Sequence, residues 1–259
     1  MRVSFAVTFV FASLVLGTVA FGAEGSTSPY TDSAGDIDAG ISNGNGTLDI
    51  LGMEITTVGS DLNFKLTVNG NVATTDWGKF MIGIGSYNAP IGTTTGNGWG
   101  RPINLQYTPD GFPTPGGMDY WIGSWVDGGG GSQLWTWDGA AWTGPASLTS
   151  FSFTPGATSD INYTVSLASL GLNPGDQFTF DAYSSGGGSG DTSIDALANP
   201  NVAVTSWGQT YTSKPVTFGG GGLNSYTVPV PEPSMFAAAA VGVVIAGCTL
   251  RRRAVRSRC

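Results

Sequence analysis

The residues Asp61-Leu62-Asn63-Phe64-Lys65-Leu66-Thr67-Val68 decide the fold class of this chain. Apolar and polar side chains alternate through the stretch, so an extended strand places the leucines, the phenylalanine and the valine on one face. A helix would scatter the same side chains around its axis. The period of two therefore predicts a strand with one buried face and one face toward water.

The same alternation recurs along the middle of the chain. It is clearest at 80–84, 161–167 and 178–182. Less regular candidate strands lie at 47–58, 103–107, 119–126, 133–137, 151–153 and 201–205. Turn sequences such as Asn69-Gly70 separate these segments, and one helical turn is predicted at 166–172. About ten strands without a repeat of fixed period predict an all-β fold, a jelly-roll-like antiparallel β-sandwich.

The segment 24–229, which lies between two terminal signals described below, is strongly acidic. It holds 17 acidic residues against four basic ones, a net charge of −13. Repulsion from phosphate makes nucleic acid an unsuitable partner. Both cysteines lie beyond this segment, so no disulfide is predicted within it. The chain has no histidine, which excludes Ser-His-Asp and Cys-His catalysis and histidine-ligated zinc or haem.

Both termini carry apolar segments that indicate export. Residues 1–23 begin with Arg2, continue through an apolar run and end in small residues, which is the order of a secretory signal peptide. A retained membrane helix is the alternative, but the apolar run is short for a span. At the other end, an apolar run at 235–250 predicts a single transmembrane helix, which snorkelling arginines help to complete. The cluster Arg251, Arg252 and Arg253 is the membrane stop, and it places the preceding chain outside the cytoplasm.

The C-terminal segment resembles a known sorting signal. Val230-Pro231-Glu232-Pro233-Ser234, the apolar run and the arginines stand in the order of the PEP-CTERM signal of bacterial envelope proteins. The resemblance implies that a membrane exosortase recognises Pro231, Glu232 and Pro233 and passes the body to the cell surface or the extracellular matrix. An ordinary single-span anchor after an unrelated proline pair is the alternative. The expected organisation is a signal peptide at 1–23, a β-sandwich at 24–218, a glycine-rich linker at 219–229 and the sorting signal at 230–259.

Aspartates in two loops are candidate metal ligands. Asp32, Asp36 and Asp38 lie within seven residues among glycine and small side chains, and flexible oxygen ligands of this kind suit a structural Ca²⁺. A solvated loop with aspartates as turn formers is the alternative. Asp191 and Asp195 are candidates for a cation or for sugar hydroxyls, against hydrogen bonds within their own loop. No other cofactor is predicted.

Four tryptophans are candidate ligand-binding residues. Trp121 with Trp125, and Trp135 with Trp137, are spaced so that each pair projects from one face of a strand. Exposed indole rings beside polar acceptors suit the apolar faces and hydroxyls of sugars, whereas burial in the sandwich core is the alternative. The segments 119–139 and 170–183 resemble family-nine carbohydrate-binding and DOMON-type modules. The resemblance implies that the four tryptophans stack on sugar, while the haem-binding branch needs a histidine that this chain lacks.

The predicted function is not catalytic. A glycosidase needs two carboxylates about 5 to 10 Å apart, and Glu54 is the one glutamate well inside the predicted domain. Aspartate pairs such as Asp119 with Asp127 leave an aspartate-based glycoside hydrolase as a third hypothesis. We expect an exported envelope or matrix protein with a structural or adhesive role, and a carbohydrate-binding module is the second hypothesis. The expected partners are the exosortase, the secretion machinery, the membrane and a polysaccharide.

Overall fold

The computed structural model describes residues 29–86, 92–105, 117–199, 204–213 and 223–230. Within these ranges the regular structure is almost entirely β, with short 3₁₀ turns at Asp127–Gly129 and Leu167–Leu170. The strands are β1 (Tyr30–Thr31), β2 (Ile50–Val58), β3 (Asp61–Val68), β4 (Lys79–Ser86), β5 (Ile103–Leu105), β6 (Tyr120–Trp125), β7 (Gly131–Trp137), β8 (Trp142–Ala146), β9 (Ser150–Thr154), β10 (Ser159–Ser166), β11 (Gln177–Ser185), β12 (Ser193–Ala196), β13 (Tyr211–Ser213) and β14 (Asn224–Thr227). The all-β prediction is confirmed.

The terminal signals fall outside the described residues. This applies to the predicted signal peptide at 1–23, to the sorting motif Pro231, Glu232 and Pro233, and to the apolar run with its arginines at 235–253. In the part of the chain that the structure describes, no helix has the length and apolar character needed to cross a membrane.

The strands form two antiparallel sheets. Sheet A has the order β1-β2-β3-β10-β9, and sheet B has the order β12-β11-β4-β6-β7-β8, with β14 also pairing with β11. The strands β5 and β13 form a separate parallel pair. Non-local antiparallel pairing, such as β3 with β10 and β4 with β11, brings distant parts of the sequence together.

The core lies between sheets A and B. The apolar residues of β3 are at most 1% exposed, whereas the polar residues between them are partly exposed, as the alternation predicts. The rings of Phe64 in sheet A and Phe178 in sheet B lie 6.3 Å apart between centroids. A hydrogen bond of 2.8 Å also joins Ser124 Oγ in sheet B to Tyr163 OH in sheet A. This packing shows a β-sandwich.

The outer face of sheet B, which points away from sheet A, is also covered over much of its area. The indole of Trp121 stacks on Tyr183 with 5.7 Å between centroids and 25° between planes. Tyr211 of β13 packs against the same tyrosine at 5.9 Å, and Trp99 of the segment 92–105 lies on β6. The burial of both faces explains why β4 is apolar or small at successive positions instead of alternating.

The folded domain extends past residue 218, where the sequence analysis ended it. Residues 224–227 of the predicted linker form β14, which pairs with the start of β11. Tyr226 is 6% exposed, packs on Phe178 at 5.6 Å and shares a hydrogen bond of 2.9 Å with Thr57 Oγ1. Val228 is fully buried. The burial of these two side chains holds the segment in the sheet, so the linker prediction was wrong for these residues.

Candidate functional site

A groove of about 340 Å³ lies at one end of the outer face of sheet B. We call it the aromatic groove, and its lining residues are Lys79, Trp99, Arg101, Trp125, Gln133, Gly187 and Ser189. The pairing register explains the sheet contribution, because Lys79 lies opposite Trp125 and Gly123 lies opposite Gln133. The segment 92–105 supplies the second tryptophan and the arginine.

Two glycines give the indole rings of the groove their places. A Cβ atom on Gly123 would lie 2.4 Å from the ring of Trp99, and a Cβ atom on Gly131 would lie 2.2 Å from the ring of Trp125. Each ring therefore rests on backbone where any larger residue would displace it. The two rings are 6.3 Å apart between centroids, with 40° between their planes. The two rings together form an angled aromatic surface on sheet B.

Hydrogen bonds hold the Trp99 ring and its loop in place. Gln133 Oε1 accepts from Trp99 Nε1 at 2.8 Å and from Trp135 Nε1 at 3.2 Å. Asn97 Oδ1 accepts from the Trp99 backbone at 3.1 Å, and Asn97 Nδ2 donates to the Arg101 carbonyl at 2.8 Å. The loop that carries Trp99 is thus fixed before any ligand arrives, which reduces the entropy lost on binding.

The groove also carries positive charge. Lys79 Nζ lies 2.8 Å from Asp127 Oδ1. The guanidinium of Arg101 lies 5.4 Å from the centroid of the Trp99 ring, within cation–π range. Arg101 is 5% exposed, and burial lowers its pKa from the usual value. The arrangement combines flat apolar surface with donors that suit hydroxyl or carboxylate oxygens.

The four tryptophans predicted to bind ligand have different surroundings. Trp125 lines the aromatic groove. Trp121 is fully buried, because the second layer over sheet B covers it. The prediction that Trp121 binds ligand on an exposed surface was therefore wrong. Trp135 is half-buried and lies on Gly98, and Trp137 pairs with Trp142 at 5.7 Å between centroids.

Trp99 lines the groove but is not among the four tryptophans predicted from the sequence to bind ligand. Trp99 lies in a loop without strand alternation, and nothing in its local sequence shows which part of the sheet it covers. Two features of the sequence could have indicated it. These are the glycines on either side of Trp99 and the glycine at position 123 in the middle of a predicted strand. A glycine inside a strand often marks a close approach of another group.

The aspartate pair considered for hydrolysis does not share a cleft. Asp119 and Asp127 flank opposite ends of β6, whose 6 residues span about 20 Å. Asp119 Oδ2 accepts from the Ser86 backbone at 2.7 Å, and burial raises the Asp119 pKa to about 7. Asp127 instead pairs with Lys79. These two carboxylates are too far apart for a glycosidase pair.

Three carboxylates form a second candidate site, which we call the acidic cluster. One oxygen from each of Asp32, Asp36 and Asp195 lies within 4.8 Å of the others. Asp195 on β12 is anchored, because its Oδ2 accepts from the Ile50 backbone at 2.6 Å and its Oδ1 from Ala196 at 2.8 Å. Asp32 Oδ2 and both carboxylate oxygens of Asp36 are buried without a hydrogen-bond partner. Carboxylate oxygens that are buried without hydrogen bonds have nothing that replaces the interactions with water lost on folding.

The electrostatics of the acidic cluster favour a bound proton or cation. Burial raises the pKa of Asp195 to about 9 and that of Asp32 to about 7, and repulsion among the carboxylates acts in the same direction. Burial also raises the pKa of Asp36. Oxygen ligands that converge from the N-terminal segment and from β12 match the preferences of Ca²⁺.

The acidic cluster overlaps only partly with the loop prediction. The structure brings Asp32 and Asp36 together with Asp195, but Asp38 is not in this group. Asp38 Oδ1 accepts from the Gly40 backbone at 2.8 Å. Asp191 also serves its own loop, because its Oδ2 accepts from the Gly188 backbone at 2.8 Å. Sequence reasoning had placed Asp195 in a separate loop, since the pairing that brings β12 beside the N-terminal segment is non-local.

Comparisons of this chain with protein-family models, with curated proteins and with solved structures found no match. The resemblances to the sorting signal and to carbohydrate-binding modules remain predictions from the sequence.

Proposed function

We propose that this protein is an exported envelope protein whose jelly-roll-like sandwich binds a polysaccharide in the aromatic groove. The observation that carries the proposal is the pair of indole rings of Trp99 and Trp125, held over Gly123 and Gly131. Aromatic faces of this kind pack on the apolar C–H faces of sugars, and adjacent polar groups bind their hydroxyls. Binding to a matrix polysaccharide would give the adhesive role expected from the sequence.

The groove suits binding without catalysis. Its volume is at the lower end of the roughly 300–1,000 Å³ typical of small-molecule sites, which fits a short stretch of glycan. Among the described residues that line it, none carries a carboxylate. The nearby Asp127 is occupied by its ion pair with Lys79. A general acid and base pair for glycoside hydrolysis is therefore not part of this proposal.

Export and display follow from the predicted terminal signals. An exosortase acting at Pro231, Glu232 and Pro233 would release the acidic, disulfide-free body from the arginine-flanked anchor. The intact mass of the protein recovered from the cell surface tests this step. Loss of about 30 C-terminal residues supports cleavage by an exosortase, whereas full length with the arginines retained supports an ordinary anchor.

A structural Ca²⁺ at the acidic cluster belongs to the same proposal. Its support is the set of buried oxygens of Asp32 and Asp36 that have no hydrogen-bond partner. Asp195 accepts from the Ile50 backbone, so a cation there would tie the N-terminal segment to β12 and β2. Its expected effect is on stability, because the cluster is distinct from the residues that line the groove.

Retention on polysaccharides tests the proposed function. The purified protein is run through gels containing a panel of neutral and acidic polysaccharides, beside Trp125→Ala and the matched control Trp137→Ala. We expect retention by at least one polysaccharide, and a loss of about 2 kcal/mol, or roughly 30-fold in affinity, for Trp125→Ala alone. Absence of retention on every polysaccharide, or equal loss in both variants, would overturn the proposal.

A further inference from the structure

Two of the four basic residues of the acidic body line the aromatic groove. Four basic residues lie in 24–229, namely Lys65, Lys79, Arg101 and Lys214. Lys65 is partly exposed on β3 and pairs with Glu54 at 3.0 Å, and Lys214 lies outside the described residues. The other two line the groove. In a body with a net charge of −13, this placement marks one surface as suited to an anion.

Arg101 is a buried cation whose hydrogen-bond acceptors are all neutral groups. Its Nη1 donates to Ser185 Oγ at 2.7 Å and to the carbonyls of Gly186 and Asp191 at 3.2 Å each. Its Nε is buried without a hydrogen-bond partner, and no carboxylate of the described residues forms an ion pair with it. Burial lowers the pKa of Arg101 although the Asp191 carboxylate acts on it in the opposite direction, so the cost of removing this charge from water is only partly offset. A bound anion would offset more of that cost.

Lys79 provides a second cationic group at the same groove. Its side chain is 14% exposed, and Nζ donates to the Trp77 carbonyl at 3.3 Å as well as to Asp127. An ammonium group has three N–H donors, so these two acceptors leave one donor to be satisfied. Asp127 is 47% exposed in its side chain, and Asp191 Oδ2 accepts from the backbone of its own loop while its charge also acts on Arg101.

We propose that the aromatic groove selects acidic sugars, with the uronate carboxylate beside Arg101 and Lys79 and the sugar ring on Trp99 and Trp125. This inference rests on the proposed function and adds the substrate class. A guanidinium presents a planar fork of donors that matches a carboxylate, and the hydrogen bonds of Arg101 to β11 and its following loop hold that fork in place. The aromatic faces supply affinity for any suitable sugar, and the cations supply the preference for acidic ones.

The test compares ligands that differ only in charge. Calorimetric titrations of the purified full-length protein use polygalacturonate, polyglucuronate and alginate, each beside its fully methyl-esterified form. We expect at least one acid to bind at least 10-fold more tightly than its ester. Arg101→Gln is expected to remove that preference, Arg101→Lys to retain part of it, and the control Lys65→Gln to leave it unchanged. Thermal melting identifies a variant that is merely unfolded, in which case Lys79→Gln, which is expected to reduce the preference, replaces it.

The outcomes separate this inference from the proposed function. Equal binding of acids and esters, or binding of neutral polysaccharides alone, would overturn the preference for acidic sugars and leave polysaccharide binding intact. A preference for acids that persists in folded Arg101→Gln and Lys79→Gln would overturn the assignment of these residues. Failure to bind any polysaccharide, neutral or acidic, would overturn the proposed function as well.

Discussion

Replacing Gly123 with alanine should damage the aromatic groove from below. The new Cβ atom would lie 2.4 Å from two ring atoms of Trp99, well inside van der Waals contact. The ring has little freedom to move away, because Trp99 Nε1 donates to Gln133 Oε1 and the Trp99 backbone donates to Asn97 Oδ1. Either the ring leaves its place or β6 shifts. Both outcomes separate Trp99 from Trp125.

The expected size of the effect follows from this overlap. Inserting a methyl group into a well-packed site typically costs about 1–3 kcal/mol. For a domain of about 200 residues, each kcal/mol lowers the melting temperature by about 2–4 °C, so Gly123→Ala should lower it by about 2–12 °C. Polysaccharide affinity should fall about 10-fold or more, because one of the two stacking surfaces is displaced.

Gly190 provides the matched control. It is exposed, and a Cβ atom there would have no heavy atom within 4 Å. Gly190→Ala should therefore change stability by less than about 0.5 kcal/mol. Calorimetric melting and gel retention of both variants check the prediction. If Gly123→Ala melts and binds like Gly190→Ala, the contact between Trp99 and β6 is not as described, and the groove loses its structural basis.

Three further predictions concern stability. Ca²⁺ at 100 times its Kd should stabilise the fold by about 2.7 kcal/mol in thermal melts, and Asp36→Asn should remove this gain; an equal gain in the variant would place the ion elsewhere. Without divalent cations, the melting temperature should fall as the pH rises from about 4 to 9. Burial raises the pKa of Asp181 to about 7 and that of Asp195 to about 9, so the folded chain holds protons that the unfolded chain releases; a rise over this range would contradict the assignment. Trp121→Ala should cost about 3–5 kcal/mol in denaturant unfolding, and Trp137→Ala much less, because only Trp121 is fully buried; equal costs would contradict the layer over sheet B.

The sequence predicted the strands whose environment is local. Alternation identified β3, β10 and the start of β11, because one face of each packs in the core and the other is polar or covered. It also identified the helical turn near residue 167, where Ser166 Oγ accepts from the Ser169 backbone at 3.1 Å and caps the 3₁₀ turn.

Features that depend on distant pairing were not readable from the sequence. The strand β14 has four residues and is held in place by its pairing with β11, so its length provides no clear alternation. Asp195 joins Asp32 and Asp36 only because β12 and the N-terminal segment meet in space. The burial of Trp121 depends on the segment 92–105 and β13 lying over sheet B. A strand's period shows which residues share a face, but not what covers that face.

Indole resonances of the protein during titration with a polysaccharide that it retains test the central claim most directly. Heteronuclear NMR spectra resolve the Nε1–H signal of each tryptophan, and single Trp→Phe variants assign them. The account predicts that the signals of Trp99 and Trp125 move to saturation together, while those of the buried Trp121 and of Trp137 outside the groove stay in place. Saturable shifts confined to Trp137 and Trp142, or binding with no change at Trp99 and Trp125, would contradict it.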